Sequence, residues 1–493
     1  MLEKAQDAWS IEEAAHLLNR AWFGGSPEEV ERLHRMGRHR AVDHLLSATD
    51  APGAFPLPAW ADPSTNAETI RNLFADRKIS REERKGLTAE QLDQKRREMR
   101  REIQRKLGEY SIEAQAFWFH RILQTMAPLR EKMTLFWHDH FATSIQKVKQ
   151  PMFMVRQNQM FRDQALGSFE KLTRSIVVDP AMMIYLDTPN SRKGKPNENF
   201  AREVMELFTL GEGHYTEQDI REAARAFTGY QLNRLTGAVT HNRKQWDAEP
   251  KTIFGHTGPF TGDDVVTLIF KQNRPSAFIA EKLWRYFVSE DEPAGVIAAL
   301  AAIIRENDHR VEPALRAIFL SEEFYDSAVI RNQIKCPVQF LVSMLKQFEI
   351  TTPPAGLALR SQRDLGQQLF LPPNVAGWDW GQAWINTNTL LSRYNIAGYI
   401  SQGSDDPMIR KLGLGGARHK GPDYESIAPR SLRKNPEELV GELSRRFFQG
   451  PIPETATASF IDYAKSKQGV VFTNKEVAEL CHLMLSTPYY QLC

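Results

Sequence analysis

Residues 92–117 have the sequence LDQKRREMRREIQRKLGEYSIEAQAF. The apolar side chains of this stretch recur at intervals of three and four residues, which is the period of an amphipathic helix. They are Leu92, Met99, Ile103, Leu107, Tyr110, Ala114 and Phe117. The spacing predicts one long helix.

The first half of this helix is strongly basic. It carries seven lysines and arginines between residues 95 and 106, with Glu98 and Glu102 among them. One interpretation is an arm that binds nucleic acid. The other is a solvated helix face whose cations pair with carboxylates three and four residues away. We favour the second, because the acidic residues lie among the basic ones.

The same helical period recurs along most of the chain, whereas evidence for strands is thin. We therefore predict a mostly α-helical protein, with one domain over residues 1–493 and a small β-hairpin insert near 230–262. A charged helical insert is expected over residues 51–110 and a flexible loop over residues 405–435. Other helices are predicted near 27–47, 128–142, 152–174, 199–210, 216–228, 276–288, 293–305, 311–320, 335–347, 361–369, 386–401, 436–448 and 474–486.

Composition excludes several classes of protein. Of 493 residues, 63 are basic and 61 acidic, so no global field favours nucleic acid or an anionic membrane. The three cysteines are too few for a disulfide framework or a thiolate zinc site. The sequence has no run of eighteen apolar residues, so no membrane span is predicted, and no leader sequence is visible. The expected location is therefore the cytoplasm.

Four stretches carry a family resemblance. They are Phe136 to Ser144 (FWHDHFATS), Asn197 to Gly211 (NENFAREVMELFTLG), Tyr215 to Tyr230 (YTEQDIREAARAFTGY) and Pro372 to Thr387 (PPNVAGWDWGQAWINT). Together they resemble the bacterial domain-of-unknown-function family numbered 1800, and the resemblance covers nearly the whole chain.

The resemblance implies a largely helical protein, often exported and often encoded beside a sulfatase-like partner protein. It implies no established reaction. The chain departs from this family in two respects. It shows no leader, and it has Trp246-Asp247 ahead of Lys251 where relatives tend to have His-Asp.

His138 and His140 are the first candidate ligands for a divalent metal ion. They lie two positions apart, so on a regular helix they point in nearly opposite directions. Both can face one ion only if the helix ends there, which the following Ala142, Thr143 and Ser144 favour. The alternative is one packed imidazole and one that caps a carbonyl group, and spacing alone favours this alternative.

Glu203 and Glu206 form the second candidate group, with Asn199 on the same helix face. Paired carboxylates suit an oxygen-ligated metal or general acid–base catalysis. We therefore predict His138, His140, Glu203 and Glu206 as metal ligands, with Glu203, Glu206 and His140 as catalytic residues. The alternative is a solvated face whose glutamates pair with nearby arginines.

A basic loop precedes this helix and ends in Arg192-Lys193-Gly194-Lys195. Basic residues at a helix N-terminus attract sulfate, phosphate or carboxylate groups. Arg192, Lys195 and Asn199 are therefore predicted to bind an anionic substrate, with an ordinary charged loop as the alternative.

Trp378, Trp380 and Trp384 lie in a loop rich in glycine and proline. Exposed indole rings beside amides and acids form platforms on which sugar rings stack. Trp378 and Trp384 are accordingly predicted to bind a carbohydrate-like substrate. The alternative is that the rings anchor the loop to the helical core.

Two hypotheses of function follow. The first is a metal-dependent hydrolase or oxidoreductase with a His/Glu centre that acts on an anionic or carbohydrate-like substrate. The second is a non-catalytic helical module that binds a polysaccharide or a protein partner. The first is favoured slightly and makes two geometric predictions. A histidine of the pair should lie within about 5 Å of Glu203 or Glu206, and an exposed tryptophan should border the same cavity as Glu203.

Overall fold

The computed structural model describes residue 5 and residues 8–62, 86–353, 355–403, 421–467 and 472–493. The described chain is 62% helical, with 22 α-helices and two small two-stranded sheets. The prediction of a mostly α-helical protein is therefore confirmed.

The N-terminal part contains helices α1 to α9. They are α1 (Ile11–Ala21), α2 (Pro27–Met36), α3 (Arg38–Ser47), α4 (Ala89–Gln124), α5 (Pro128–His140), α6 (Ile145–Val148), α7 (Pro151–Asp163), α8 (Phe169–Val177) and α9 (Pro180–Tyr185). The single helix predicted over 27–47 is two helices, because Gly37 adopts a φ of 76° that breaks the helix. Ser26 caps the first of them, because its side chain accepts from the Glu29 backbone N–H.

The middle part contains α10 (Glu198–Glu203), which continues as a π-helix over Val204–Leu210, and α11 (Glu217–Ala226). Two hairpins follow. They are β1 (Tyr230–Leu232) with β2 (Val239–His241), and β3 (Lys251–Ile253) with β4 (His256–Gly258). Both hairpins lie inside the predicted insert. The helices after them are α12 (Gly262–Phe270), α13 (Arg274–Phe287), α14 (Ala294–Glu306) and α15 (Glu312–Phe319).

The C-terminal part contains the remaining helices. They are α16 (Pro337–Gln347), α17 (Ala355–Leu365), α18 (Thr387–Gln402), α19 (Tyr424–Ile427), α20 (Pro436–Phe447), α21 (Glu454–Ser466) and α22 (Asn474–Leu485). The short helix α19 lies within the flexible loop predicted over 405–435. Residues 405–420 of that loop lie outside the described residues.

Helix α4 is the long helix expected from the spacing of three and four residues. Its N-terminal half faces solvent, and its cations pair with acids four residues away, as in Arg97–Asp93 at 3.0 Å and Arg105–Glu109 at 2.7 Å. Its C-terminal half buries apolar side chains, among them Trp118. The basic stretch is thus a solvated helix face. Residues 63–85 of the predicted charged insert lie outside the described residues.

Helix α5 lies in the centre of the core. All its side chains are buried except those of Arg130 and Asp139, which are partly accessible. The buried Glu131 carboxylate accepts hydrogen bonds from Arg162 of α7 through both oxygens and lies 3.1 Å from Arg121 Nε of α4. This ion-pair group joins three helices and fixes the position of α5.

No described helix combines the length and the apolar composition that crossing a lipid bilayer requires.

Candidate active site

The last turn of α5 presents three polar side chains in three directions, because successive helix positions are about 100° apart. His138 and His140 are buried, whereas Asp139 is partly accessible. Each of the three therefore meets a different part of the fold.

Asp139 is held by the tryptophan-rich loop. Its Oδ1 accepts a hydrogen bond of 2.6 Å from the backbone N–H of Trp378, and the Trp380 side chain also favours the charged carboxylate. Burial nevertheless raises the pKa of Asp139 to about 7 against these two influences. A carboxyl group with this pKa is partly protonated at neutral pH, so it can both donate and accept a proton.

The loop can approach Asp139 this closely because residue 377 is glycine. Gly377 has a φ of +96°, and a Cβ atom at this position would lie 2.4 Å from Asp139 Oδ1 and 2.6 Å from the Asp139 carbonyl oxygen. The second of these atoms belongs to the backbone of α5 and cannot turn aside. A residue without a side chain is therefore required here.

Gly377→Ala should destabilise the protein by about 2–4 kcal/mol, because it adds a positive-φ penalty to a clash with backbone. Gly213→Ala is the matched control, since Gly213 has a φ of +80° and a Cβ atom there would meet no described atom within 4 Å. Urea denaturation of both variants measures the difference. Equal losses in the two variants would show that the contact with Asp139 does not require glycine.

Lys282 of α13 is the cation nearest to this carboxyl group. Burial lowers the pKa of Lys282 to about 8, and the Asp139 charge opposes that shift. Its Nζ lies 3.3 Å from His140 Nδ1 and donates to the Leu207 carbonyl oxygen at 3.4 Å. Asp139 and Lys282 thus influence each other's pKa, and the two values, about 7 and about 8, lie close to neutrality.

His140 is a neutral imidazole, because burial lowers its pKa well below the ordinary value. Its Nε2 lies 2.9 Å from the Phe208 carbonyl oxygen. A carbonyl oxygen only accepts, so Nε2 carries the proton and Nδ1 accepts from Lys282. His140 therefore positions the Lys282 ammonium group.

The carbonyl groups that accept from these side chains lie at the C-terminal end of the π-helix over Val204–Leu210. The last carbonyl groups of a helix have no partner within it, and here three side chains donate to them. Lys282 donates to Leu207 and His140 to Phe208, while Arg274 Nε donates to Leu210 at 2.8 Å. The π-helix and α13 together support the site.

A cavity of about 360 Å³ lies beside Trp380, and Asp139 is not part of its wall. We call it the tryptophan cavity, and its walls include Trp380, Trp384, Tyr286, Lys132, Gln339 and Asn332. The Trp380 ring is 40% exposed and packs edge-on against Tyr286, with ring centroids 5.0 Å apart. The Trp380 side chain also lowers the pKa of Asp139, so the carboxyl group lies close to a residue of the cavity wall.

A model of the family described as protein of unknown function (DUF1800) matches residues 16–492, nearly the whole chain. The chain belongs to this family. No curated protein and no solved structure matches it significantly. The DUF1800 membership confirms the resemblance seen in the four sequence stretches and assigns no reaction to any residue.

The four predicted metal ligands of this DUF1800 chain have different surroundings. His138 lies among the rings of Trp118, Phe161 and Phe370, and neither of its nitrogens has a hydrogen-bond partner in the described residues. Burial lowers its pKa well below the ordinary value. His140 is bonded to Phe208 and Lys282 instead of a glutamate.

Glu203 and Glu206 form a separate, partly buried group. Glu206 accepts a short hydrogen bond from the Tyr215 hydroxyl group. Burial raises the pKa of Glu203, and the Glu206 charge raises it further. Among the described residues, no three His, Cys, Asp or Glu side chains are arranged to hold a metal ion. The four-ligand centre is thus not assembled here, and a divalent metal stays a prediction from sequence.

The predicted anion-binding residues Arg192, Lys195 and Asn199 are all exposed. The helix N-terminus beside them is already capped, since Asn197 Oδ1 accepts from the Asn199 backbone N–H at 3.1 Å. None of the three lines the tryptophan cavity, and neither does Glu203. The tryptophan cavity is therefore not shared with Glu203, and the expectation that a tryptophan and Glu203 border one cavity stays a prediction.

The predicted sugar-binding tryptophans differ among themselves. Trp378 is buried and anchors the loop, as the alternative interpretation expected. Trp384 is buried too, although it contributes to the cavity wall, and only Trp380 of the three is substantially exposed. The prediction that at least one ring is accessible is confirmed.

Asp139 and Lys282 are not among the site residues predicted from the sequence. Asp139 stands between the two histidines of the FWHDHF stretch, so its position in a family motif could have marked it. No sequence pattern indicated Lys282, which lies 143 residues after Asp139 in the chain.

Proposed function

We propose that the protein is an enzyme that binds a carbohydrate-like ligand in the tryptophan cavity and carries out acid–base chemistry on it, in the simplest case hydrolysis. The observation that carries this proposal is the Asp139 carboxyl group. It has a pKa of about 7, is partly accessible, and is influenced by the side chain of the exposed Trp380 in the cavity wall. Carboxyl groups with raised pKa values beside cavities are typical of general acids.

The cavity wall supports a carbohydrate-like ligand. Trp380 offers an aromatic face for an apolar sugar face, and the amides of Gln339, Asn332 and Gln382 offer donors and acceptors for hydroxyl groups. Such a wall binds through stacking and many neutral hydrogen bonds.

The proton transfers balance within this group of residues. The Asp139 carboxyl group donates its proton to the leaving oxygen as the carbon–oxygen bond of the substrate breaks. Water adds to the carbon, and the proton it releases returns to the Asp139 carboxylate. Lys282 lies close enough to stabilise the transient carboxylate.

The second candidate function is a non-catalytic binding module. The exposure of Trp380 favours it, since a stacking platform binds ligands without any proton transfer. The two candidate functions differ in the role of Asp139, and the Asp139→Asn variant distinguishes them.

Trp380→Ala should weaken binding of a sugar ligand by about tenfold, because the main stacking surface is lost. Isothermal titration with D-glucuronate and with D-glucose measures the affinity, and chromogenic nitrophenyl glycosides measure turnover. The wild type is expected to bind at least one of the sugars and to hydrolyse at least one glycoside.

The control for this variant is Tyr394→Ala. Tyr394 is 46% exposed on α18 and is not part of the cavity wall. Its loss should leave sugar affinity unchanged. If Trp380→Ala and Tyr394→Ala bind the sugars equally well, the tryptophan cavity is not the ligand site.

A further inference from the structure

The core behind the tryptophan cavity contains an unusual excess of positive charge. Four cations are buried there, each 5% exposed or less: Arg20, Lys132, Lys335 and Arg393. Buried cations normally pair with carboxylates, because an unpaired buried charge is costly. Within the described residues, none of these four forms a salt bridge with an aspartate or glutamate, and no such group influences their pKa values.

Their hydrogen bonds go to neutral groups. Lys132 Nζ donates to Gln339 Oε1 at 2.9 Å, and Lys335 Nζ donates to the Tyr490 carbonyl oxygen at 2.9 Å. Arg393 donates to Gln491 and to the Lys335 carbonyl oxygen. These bonds satisfy donors without neutralising charge.

Arg20 is less satisfied than the others. Its Nη2 donates to the Val329 carbonyl oxygen and to Asn332 Oδ1, and Asn332 belongs to the cavity wall. Its Nε and Nη1 are buried without a hydrogen-bond partner in the described residues. The guanidinium group thus keeps unused donors close to the cavity.

Burial lowers the pKa of Arg20 and of Arg393 to about 10, and that of Lys335 to about 7. Cys493 opposes this lowering for Arg20 and Lys335, and Cys336 and Cys493 oppose the lowering of the Lys132 pKa. Burial raises the pKa of the Cys336 thiol in the cavity wall, so that thiol stays neutral at physiological pH. Arg20 and Arg393 therefore stay charged at neutral pH and Lys335 is partly charged, and no aspartate or glutamate is among the groups that oppose the lowered pKa values.

The cavity gives a ligand access to this charge. Lys132 is part of the wall at its buried end, whereas Glu290 and Arg285 are exposed, and Arg285 pairs with Glu292. The Lys132 ammonium group also lies over the rings of Phe23 and Tyr286, at 4.7 and 5.3 Å from their centroids. These contacts hold it in place without supplying a negative charge.

We infer that the buried end of the tryptophan cavity binds an anionic oxygen group of the ligand, a carboxylate, sulfate or phosphate, through Lys132 with Arg20, Lys335 and Arg393 behind it. This inference rests on the proposed function in placing a sugar-like ligand in the same cavity, and it specifies that the sugar is acidic. An oxyanion there supplies the charge that the surrounding core lacks.

The test compares an acidic sugar with its neutral counterpart. The wild type should bind D-glucuronate at least about tenfold more tightly than D-glucose, as expected for a buried charge pair. Lys132→Met keeps the length of the side chain and removes its charge, so it should lose this preference and retain affinity for D-glucose. Lys132→Arg should keep the preference.

Lys346→Met is the matched control. Lys346 is also largely buried and lies over an aromatic ring, that of Trp22, but it pairs with Glu29 at 2.8 Å. Its loss should leave the preference for D-glucuronate intact. In ligand-free buffer, Lys132→Met should have a Tm equal to or above that of the wild type, whereas Lys346→Met should have a lower one.

Equal affinity of the wild type for both sugars, or a preference retained in Lys132→Met, would overturn the inference. If neither sugar binds, the sugar ligand of the proposed function is wrong, and sulfate then tests the anion site alone. Sodium sulfate should raise the Tm of the wild type more than that of Lys132→Met. An equal rise in both would overturn the inference.

Discussion

Replacing Asp139 with asparagine is expected to lower kcat by about 10²–10⁴-fold, which is the usual contribution of a general acid. Asparagine keeps the size of the side chain and can still accept from the Trp378 N–H through its carbonyl oxygen. It has no proton to donate to a leaving oxygen. Affinity for the sugar ligand should change little, because Trp380 and the amide side chains remain.

The pH profile gives a second measurement of the same role. Burial raises the pKa of Asp139 to about 7, so the proton needed for catalysis is lost as the pH rises through that value. The rate of the wild type should therefore fall above about pH 7, and the residual rate of Asp139→Asn should lack this decline. If the variant retains wild-type kcat, Asp139 is not the acid and the binding-module hypothesis is preferred.

Stability tests the same pKa without any substrate. The folded-state pKa of Asp139 lies above that of an unfolded aspartate, so its protonated form stabilises the fold. This contribution is complete below about pH 4 and is lost as the pH rises through about 7. The free energy of unfolding of the wild type should decline across that window more than that of Asp139→Asn.

Glu131→Gln is expected to lower the free energy of unfolding by about 3–5 kcal/mol, which is the usual cost of breaking a buried ion pair. Glu131 is 1% exposed and is the carboxylate that Arg162 and Arg121 share. Glutamine leaves Arg162 with no carboxylate partner in this group, while Arg121 keeps only Asp50 at 3.1 Å. The three helices α4, α5 and α7 then lose their common ionic contact.

Urea denaturation measures this loss, with Glu109→Gln as the control. Glu109 pairs with Arg105 in solvent, with more than half of each side chain exposed, so its removal should cost little. Adding Arg162→Met to Glu131→Gln should restore part of the stability, because one uncompensated cation is removed. A loss no greater than that of the control would show that the buried group does not stabilise the fold.

The helical architecture could be predicted because its signals are local. The spacing of three and four residues that predicts α4 relates side chains about one turn apart, and the Ser26 cap acts within three residues. Even so, the π-helix over Val204–Leu210 was not foreseen, since its apolar pattern is that of an ordinary helix. The side chains that donate to its last carbonyl groups, those of Lys282, His140 and Arg274, also lie far away in the sequence.

The site could be predicted only in part, because its contacts join distant segments. His138 and His140 were predicted as metal ligands because imidazoles commonly bind metals. Helix geometry instead directs His138 into an aromatic core and His140 to the Phe208 carbonyl oxygen. Asp139, the residue between them, meets a loop 239 residues further on. The tryptophan loop itself was recognised from composition, although composition could not tell that Trp380 alone of its three indoles would be substantially exposed.

Helix α4 also has a consequence for the cooperativity of unfolding. At the ideal rise its 36 residues are about 54 Å long, yet no residue of this helix before Ile103 is buried. The exposed segment before Ile103 is only as long as an isolated helix that is marginally stable in water. Its first turns therefore open and close without the rest of the protein. Amide hydrogens around Trp118, by contrast, exchange only when the core itself opens. Amide hydrogens of one continuous helix therefore exchange in two ways, by local opening before Ile103 and by opening of the core after it.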